Sequence, residues 1–459
     1  MTDTTRSLPP AASRAPETSS SDPPAIGSSW VVMLLLLVLL LYTIVDRPLF
    51  SLVVEPLKKD LGLSDLQVGL VQGLSVALFT AVAGYPLGWL ADRFDKRYIL
   101  AGSIAVWSGC LALAGLAQSF EQLFIASALV GAGEASLVPI AIAIVPELFR
   151  AQQRQLANSL LLVGARLGTG LMIAVCGWVL VAVEPSRTWL PAAVQDLAGW
   201  RLAFLFMALP GLVFVPLILL LPAPATRPRP PQARPGDATP PTANPPVWPH
   251  LRAQWRPFLC FYAGLGFLCL GIGCVMAFAP MVAIRQMGAT QLSAANLMGT
   301  ATFTATVVGF VLAQGISRWG RPWVGERLPA VALLGSAVAS GCAAAALLLA
   351  STPTTLFIGL GVFLTAVMAG TLLFPTAAQE LTPVRLRARL VSIMATTNIV
   401  MGALGPAAVG AVSDRLKGHP DGPLMAMAGC ATVAMLVAIL FLVPLTRLYL
   451  PAVRAARAA

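Results

Sequence analysis

Charged residues are scarce in this chain of 459 residues, in which Asp, Glu, Lys and Arg together make up only 11%. Soluble domains carry roughly 25% charged residues, and they are less apolar than the 57% hydrophobic content found here. Several apolar runs exceed the roughly 20 residues that cross a bilayer core. Because hydrocarbon offers the backbone no hydrogen bonds, such runs predict transmembrane α-helices. The strand-and-turn rhythm of an outer-membrane barrel is missing. We therefore expect an all-α membrane protein rather than a soluble one.

Residues with catalytic or metal-binding chemistry are also few. The two histidines, His250 and His419, lie between apolar runs, so no histidine proton relay is available. The seven cysteines fall within or at the edges of apolar runs, at spacings that suit no metal site. No phosphate-binding loop, nucleophile elbow or zinc pattern occurs. The chain is therefore not predicted to be an enzyme, to use ATP or to hold a cofactor or metal.

The apolar runs form twelve predicted spans, six on each side of a segment rich in proline and arginine. That segment cannot form a helix or bury a core, so we predict a linker. The expected domains are a disordered tail (1–29), a six-helix bundle (30–221), the linker (222–257), a second six-helix bundle (258–446) and a short tail (447–459). The spans, numbered 1 to 12, are predicted at 30–54, 66–90, 98–117, 123–145, 156–181, 201–221, 258–284, 293–315, 328–350, 355–378, 390–412 and 423–446.

The distribution of basic residues predicts the orientation in the membrane. With the N-terminus inside, most of the 30 Lys and Arg residues fall in the tails, the linker and the loops on that same side. Cytosolic loops carry such an excess, so both termini and the linker are predicted to be cytosolic, in a protein of the inner membrane. The net charge of +11 is then a topology signal and does not indicate nucleic-acid binding.

The two halves repeat a short pattern at the cytosolic ends of spans 4 and 10. Glu147, followed seven residues later by Arg154, recurs as Glu380 followed by Arg387. Duplicated six-helix bundles that rock around a site at the membrane midplane are a transporter architecture. The repeat therefore favours a transporter, with Arg154, Glu380 and Arg387 near a cytosolic gate.

The stretch Gly84-Tyr-Pro-Leu-Gly-Trp-Leu-Ala-Asp-Arg-Phe-Asp-Lys-Arg97, between spans 2 and 3, is the most informative motif. It resembles the cytosolic signature of the major facilitator superfamily, Gly-x-Leu-x-Asp-Arg-x-Gly-Arg-Arg, with Asp95-Lys96 in place of Gly-Arg. The resemblance implies two six-helix bundles around a central cavity that is lined by spans 1, 4, 7 and 10.

We interpret this motif as part of a gate. A glycine lets span 2 approach a neighbouring helix closely, and an aspartate can bond to a facing helix N-terminus or to an arginine. The arginines can latch to acidic residues of the other half when the inner side is shut, and Glu380 is one candidate. An ordinary basic loop on the cytosolic side is the alternative. The residues assigned to the gate here are Gly84, Gly88, Asp92, Arg93 and Arg97.

Within that superfamily the sequence is most similar to the spinster-type branch, over residues 42–181 and 375–415. The similarity implies transport of lysophospholipid- or sphingoid-type amphiphiles, with proton coupling as in bacterial members. Thr43, Ser127 and Arg166 depart from the pattern of the branch. The similar segments are Asp46-Arg47, Glu55-Pro-Leu-Lys58, Leu61-Gly-Leu-Ser64, Val130-Gly-Ala-Gly-Glu-Ala135, Leu381–Arg387 and Gly402–Gly410.

Four charged residues lie inside predicted spans: Asp46, Arg47, Glu134 and Arg166. A charge within a span costs at least a few kcal/mol, so it normally faces a cavity or a partner. At about 1.5 Å per residue, all four reach the middle of a core about 30 Å thick. Consecutive helix residues diverge by about 100°, so Asp46 and Arg47 cannot both face a cavity unless Pro48 kinks span 1. We predict that the four residues form one site at the midplane.

Our hypothesis assigns a role to each residue of this site. Glu134 is the main proton acceptor, Asp46 is its relay or partner, and Arg47 and Arg166 hold an anionic headgroup. Burial favours the neutral form of a carboxyl group and a nearby arginine favours its charged form, so opening one side of the cavity can couple protonation to alternating access. A static ion-pair network that fixes helix packing is the alternative.

The predicted function is proton-linked transport of a small-molecule or lipid-like substrate, either amphiphilic or carboxylated. We expect a monomer whose other partners are protons and membrane lipids. Two alternatives stay open. One is a proton symporter of small organic acids. The other is a membrane receptor or scaffold that binds without flux, in which Asp92 and Glu134 would be dispensable.

Overall fold

The chain is an all-α membrane protein in the computed structural model, which describes residues 26–149, 151–220, 251–383 and 386–458. Within these ranges the regular elements are all helices. The predicted fold class is confirmed. Most of the predicted tail (1–29) and of the predicted linker (222–257) lies outside the described residues, so both stay predictions.

The first half contains spans 1 to 6. A π-helix, Leu70–Ser75, widens one turn of span 2. The short helices Arg187–Trp189 and Ala192–Gln195 connect spans 5 and 6. The α-helices are Ile26–Tyr42 and Asp46–Leu61 (span 1), Asp65–Gly69 and Val76–Arg93 (span 2), Lys96–Leu116 (span 3), Phe120–Glu134 and Leu137–Leu148 (span 4), Ala151–Ser186 (span 5) and Gly199–Leu219 (span 6).

The second half contains spans 7 to 12. A 3₁₀ turn, Gly325–Arg327, joins spans 8 and 9, and a second one, Leu347–Leu349, follows span 9. The α-helices are Trp255–Met287 (span 7), Gln291–Val324 (span 8), Leu328–Ala346 (span 9), Pro353–Thr371 and Phe374–Leu381 (span 10), Arg387–Arg415 (span 11) and Gly422–Ala458 (span 12).

The described residues contain eleven helical stretches that are long and apolar enough to cross a membrane. The longest, Gln291–Leu349, has 59 residues. At about 1.5 Å per residue it would measure about 90 Å, three times the thickness of a bilayer core. Gly325, with a φ of 63°, begins the turn within it. This stretch therefore comprises spans 8 and 9, and the described residues contain twelve spans, as predicted.

Proline accounts for the breaks within spans 1, 4 and 10. A proline has no N–H for the carbonyl group four residues earlier, and its ring collides with that group. Each break begins at, or one residue away from, the residue whose carbonyl group the proline leaves without a hydrogen bond. The pairs are Pro48 and Ile44, Pro139 and Ala135, and Pro375 and Thr371. The kink predicted at Pro48 is thus present, as an interruption over residues 43–45.

Several helices run past their predicted ends, and spans 5, 8 and 12 are examples. Span 5 begins at Ala151, span 8 continues to Val324 and span 12 continues to Ala458. The added turns of spans 5 and 12 are rich in Ala, Leu, Gln and Arg, which favour helices, and Gln and Arg lower the local hydropathy. The added turns of span 8 contain Arg318 and Arg321, which lower it as well. Hydropathy therefore located these spans and misplaced their ends.

Candidate functional site

Arg47 and Glu134 form an ion pair between spans 1 and 4. The guanidinium Nη2 lies 3.5 Å from the carboxylate Oε2, which is an ion pair but too long for a strong hydrogen bond. The Arg47 side chain is 57% exposed and that of Glu134 is 27% exposed. Two of the four residues predicted to share one site are therefore in contact, beside accessible space in the middle of the membrane spans.

Asp46 lies next to this pair and is buried, with only 7% of its surface exposed. It opens the second helix of span 1, directly after the interruption that Pro48 imposes. Its Oδ1 has no hydrogen-bond partner among the described residues, and neither has Oε2 of Glu134. With this break, Asp46 lies in an enclosed environment and Arg47 lies in an open one. A buried carboxylate oxygen without a donor is costly, so Asp46 stays a candidate functional residue beside the Arg47–Glu134 pair.

Two glycines position Glu134 by letting span 4 approach its neighbours. A Cβ atom at Gly131 would collide with the carbonyl oxygen of Val76 in span 2, and one at Gly133 would lie 2.8 Å from the backbone nitrogen of Trp107 in span 3. The hydroxyl of Thr80 also donates to the carbonyl of Gly131 at 3.0 Å. Any larger residue would push span 4 outward, so these close contacts fix the position of Glu134.

The side chain of Arg166, the fourth predicted site residue, lies outside the described part of the structure. The helix that carries it packs on span 1 through the predicted Gly-x-x-x-Gly pattern. A Cβ atom at Gly164 would lie 2.7 Å from Cδ1 of Leu37, and one at Gly168 would collide with Leu41. The backbone of Arg166 is therefore close to span 1, and its role in the site stays a prediction.

A network of charged residues joins the two halves on the predicted outer side. Nε of Arg285 in span 7 donates to Oε1 of Glu55 in span 1 at 2.7 Å, and its Nη2 lies 3.2 Å from Oδ1 of Asp65 in span 2. Asp65 also pairs with Lys58 and accepts a hydrogen bond of 2.7 Å from Ser413 of span 11. These contacts hold spans 1 and 2 against spans 7 and 11.

Asp414 of span 11 reinforces the same closure. Its carboxylate accepts the backbone N–H groups of Asp65 at 3.1 Å and Leu66 at 2.8 Å, so it caps the N-terminus of span 2. Spans 2 and 11 are in backbone contact here, because a Cβ atom at Gly69 would collide with the carbonyl of Pro406. The outer side is thus sealed by packing as well as by charge.

The predicted gate motif lies at the opposite end of span 2. Asp95 caps the helix of span 3, accepting the N–H of Arg97 at 2.9 Å, and its carboxylate lies 2.7 Å from Nη2 of Arg97. These bonds from Arg97 hold the pKa of Asp95 below its ordinary value. Arg93 stacks on Trp89, with its guanidinium carbon 3.9 Å from the ring centroid. Asp95, which departs from the superfamily signature, therefore serves as a helix cap.

The predicted latch between the arginines of this motif and Glu380 is not formed in this structure. Oε2 of Glu380 accepts a hydrogen bond of 2.7 Å from the hydroxyl of Tyr449 in span 12, within its own half. Gly84 has open space where a Cβ atom would be. The side chains of Asp92, Arg154 and Arg387 and the surroundings of Gly88, the other predicted gate residues, lie outside the described part of the structure.

The sequence interpretation missed the outer network. Glu55 and Lys58 were named there only as carriers of a family resemblance, and Arg285 and Asp414 were not named. A usable signal did exist, because each of these residues stands at the same membrane face, at the end of an otherwise apolar span. Charges of both signs at one face indicate ion pairs between helices.

Comparison with known proteins identifies the family. A sequence model of the Major Facilitator Superfamily matches residues 34–406. An "MFS-type efflux pump" of Mycolicibacterium smegmatis is 28% identical over 386 residues, which cover 81% of each chain. Protein spinster homolog 1 of Homo sapiens is 28% identical over 408 residues, covering 82% of this chain and 71% of the human protein.

A solved structure has the same fold. It is a bacterial homologue of the human lysosomal transporter spinster, in an inward-facing and unoccupied conformation. Its TM-score is 0.74 at 21% sequence identity, over 93% of this chain and 97% of that one.

Proposed function

This chain belongs to the major facilitator superfamily and is spinster-like, and on that basis we propose that it is a proton-coupled transporter of an amphiphilic or carboxylated organic anion. Transport by alternating access requires a site that is open to one side of the membrane at a time. The outer side is sealed by Arg285, Glu55, Asp65 and Asp414, yet Arg47 remains accessible. We infer that Arg47 is reached from the linker side.

The Arg47–Glu134 ion pair is the observation that carries this proposal. An arginine with an open side chain binds carboxylate or phosphate groups through several N–H donors. While Glu134 is charged, it competes with an anionic substrate for the same guanidinium. Protonation of Glu134 removes that competition, so the anion and the proton bind together. We assign the relay of this proton to Asp46, and its support is that Asp46 is buried and has an oxygen that lacks a donor among the described residues.

The apolar surroundings indicate the class of substrate. Spans 1, 4, 7 and 10 consist mainly of hydrophobic residues, with few charges beside this pair. A molecule that offers one anionic group to Arg47 and an apolar body to the helices fits such a cavity. Lysolipid-like amphiphiles and small organic acids both meet this description, and the panel in the experiment below separates them.

The test is proton flux in proteoliposomes that contain a pH-sensitive dye, challenged with lysolipids, sphingoid bases and small organic acids. We expect a pH change that is triggered by substrate in the wild type and lost in Glu134→Gln. Glu121→Gln, an exposed residue at the other end of the same helix, is the matched control and should behave as wild type. A pH change that survives in a well-folded Glu134→Gln variant would refute the proton-acceptor role. If folded wild-type protein gives no pH change with any compound of the panel, coupled transport of these substrates is refuted.

A further inference from the structure

A cavity of about 1150 Å³ lies between spans 8, 9 and 10, and neither Arg47 nor Glu134 lines it. Its walls are spans 8 and 9, and its floor is span 10. Spans 8 and 9 both pack closely on span 10. A Cβ atom at Gly309 of span 8 would lie 2.6 Å from Met368 Cβ of span 10, and one at Gly370 of span 10 would collide with Ser336 of span 9. The walls therefore diverge, and we call the space between them the lateral slot.

The lateral slot faces the hydrocarbon of the membrane. Among its lining residues, Val308 and Leu312 of span 8 and Ile358 and Val362 of span 10 are largely exposed. Each lies within a helix that crosses the membrane, where exposed apolar side chains meet lipid chains. Small residues keep the slot open. At Gly335 of span 9, a Cβ atom would meet no atom within 4 Å.

The slot is long enough for an acyl chain. It runs along span 8 from Thr300 to Val324, which at about 1.5 Å per residue is about 36 Å. A bilayer core is about 30 Å thick, so the chains of either leaflet are shorter than the slot. Its length alone does not select a leaflet.

The charged residues at the ends of the slot do select a leaflet. The end of the slot on the linker side carries Arg318, Arg321 and Arg327, all exposed, and Arg327 lies in the turn between the lining residues Val324 and Leu328. The acidic neighbour Glu326 is paired with Arg457, at 3.3 Å. At the other end the chain is neutral, because no Asp, Glu, Lys or Arg occurs in residues 286–317 or 328–379. One end of the slot is therefore cationic.

Tryptophans mark the same end. Trp319 lines the slot and is 72% exposed, and Trp323 follows one turn later at 89% exposure. Exposed tryptophan is enriched where the hydrocarbon meets the lipid headgroups. The arginines therefore lie at headgroup depth, and the apolar walls begin directly below them.

We propose that the lateral slot binds an anionic phospholipid of the leaflet on the linker side. One acyl chain lies between spans 8 and 9, and the phosphate lies beside Arg327 and Arg321. Arginine suits phosphate because its N–H donors match the phosphate oxygens in pairs. This lipid site is separate from the transport site, so neither proposal depends on the other.

The experiment is native mass spectrometry of the delipidated full-length protein, supplied with phosphatidylglycerol or phosphatidylcholine. We expect the wild type to retain phosphatidylglycerol preferentially. Arg327→Gln should weaken that preference about fivefold, the effect of one arginine near an anionic lipid, and a second change, Arg321→Gln, should weaken it further. Gly335→Phe, which fills the slot from a position with open space, should reduce retention of both lipids.

Gly109→Phe is the matched control. Gly109 is a helical glycine of span 3 that also has open space around it and does not line the slot. Size-exclusion profiles establish that each variant is folded. Equal retention of the two lipids by the wild type would overturn the proposal, and so would equal retention by Gly335→Phe and Gly109→Phe. Displacement of the lipid by a second copy of the chain, seen as dimers that carry no lipid, would also overturn it.

Discussion

Arg285 of span 7 and Asp65 of span 2 join the two halves on the predicted outer side, with guanidinium Nη2 3.2 Å from carboxylate Oδ1. The same arginine reaches Glu55 of span 1. A single side chain of the second half therefore holds two helices of the first. The inner motif that the sequence emphasises forms no corresponding contact here between Arg97 and Glu380, which bond to Asp95 and Tyr449.

The first prediction concerns Arg285. Arg285→Gln removes a charged partner from both Glu55 and Asp65, and hydrogen bonds to charged groups contribute about 1.5–3 kcal/mol each. We expect the population with an open outer side to rise roughly tenfold or more. Spin labels at Lys59→Cys and Gly418→Cys, in a background without the native cysteines, would report this as a longer distance in pulsed EPR.

Arg201→Gln is the control for that experiment. Arg201 pairs with Asp60 at 2.9 Å on the same side of the membrane, but both residues belong to the first half. Its loss should leave the distance distribution unchanged. If the two variants open the outer side equally, Arg285 does not act as a link between the halves.

The second prediction concerns close packing at Gly69. Valine there would collide with the carbonyl of Pro406 and prevent closure of spans 2 and 11. We expect uptake or export by Gly69→Val to fall more than about tenfold, the equivalent of 1.4 kcal/mol, while the protein still elutes as a folded species. Gly429→Val in span 12 has open space around it and should transport as wild type. Full transport by Gly69→Val would show that this contact is not needed.

The third prediction concerns the pH dependence of stability at Asp95. Its lowered pKa means that the charged carboxylate stabilises the fold at any pH above the ordinary value of about 3.9. This contribution is lost as the pH falls through the lowered native value. Asp95→Asn keeps a capping side chain but not the charge, so we expect a slightly lower Tm at pH 7 and a difference that shrinks as the pH falls below about 3.9.

Asp95→Ala separates the cap from the charge. It removes both, and the loss of an N-cap costs about 1 kcal/mol. Thermal unfolding of the detergent-solubilised protein should therefore rank wild type above Asp95→Asn and Asp95→Asn above Asp95→Ala at pH 7. Equal Tm values for all three proteins would contradict a capping role for Asp95.

The fourth prediction tests the inner latch, which the structure leaves open. If Arg93 pairs with Glu380 when the inner side closes, Glu380→Arg should impair transport, because two like charges then face each other. Adding Arg93→Glu should restore transport by recreating the pair in reverse. Arg318→Glu, which changes an exposed arginine at the linker-side end of span 8, should give no rescue. Rescue by both second changes would point to a general charge effect instead.

The apolar runs predicted the fold well because each span must satisfy its own backbone hydrogen bonds. That constraint is local, and so is the effect of Pro48, whose break in span 1 was also predicted. The ends of spans 5 and 12 were misplaced because helix propensity continues where hydropathy stops. Hydropathy and proline positions therefore predicted where the helices lie but not their full lengths.

The site could be predicted only in part. A charged residue within an apolar span is recognisable in the sequence, so Arg47 and Glu134 were predicted as site residues. Their pairing depends on how spans 1 and 4 pack. Arg285 and Asp65 were missed because residues separated by 220 positions meet only after both halves have folded. The capping role of Asp95 could have been predicted, since Asp before a helix is a common N-cap.

Asp414 gives the outer closure a further property. Its carboxylate caps span 2 from the other half of the molecule, so part of the secondary structure of one domain is completed by its partner. In the proposed alternating access, opening of the predicted outer side would break these two bonds, and the N–H groups of the first turn of span 2 would bond to water instead. The Ser64–Gln67 capping box, which lies within the first half, would remain, so the loss is confined to the amide groups of Asp65 and Leu66. Their exchange with solvent deuterium should accelerate in proportion to the time the protein spends open.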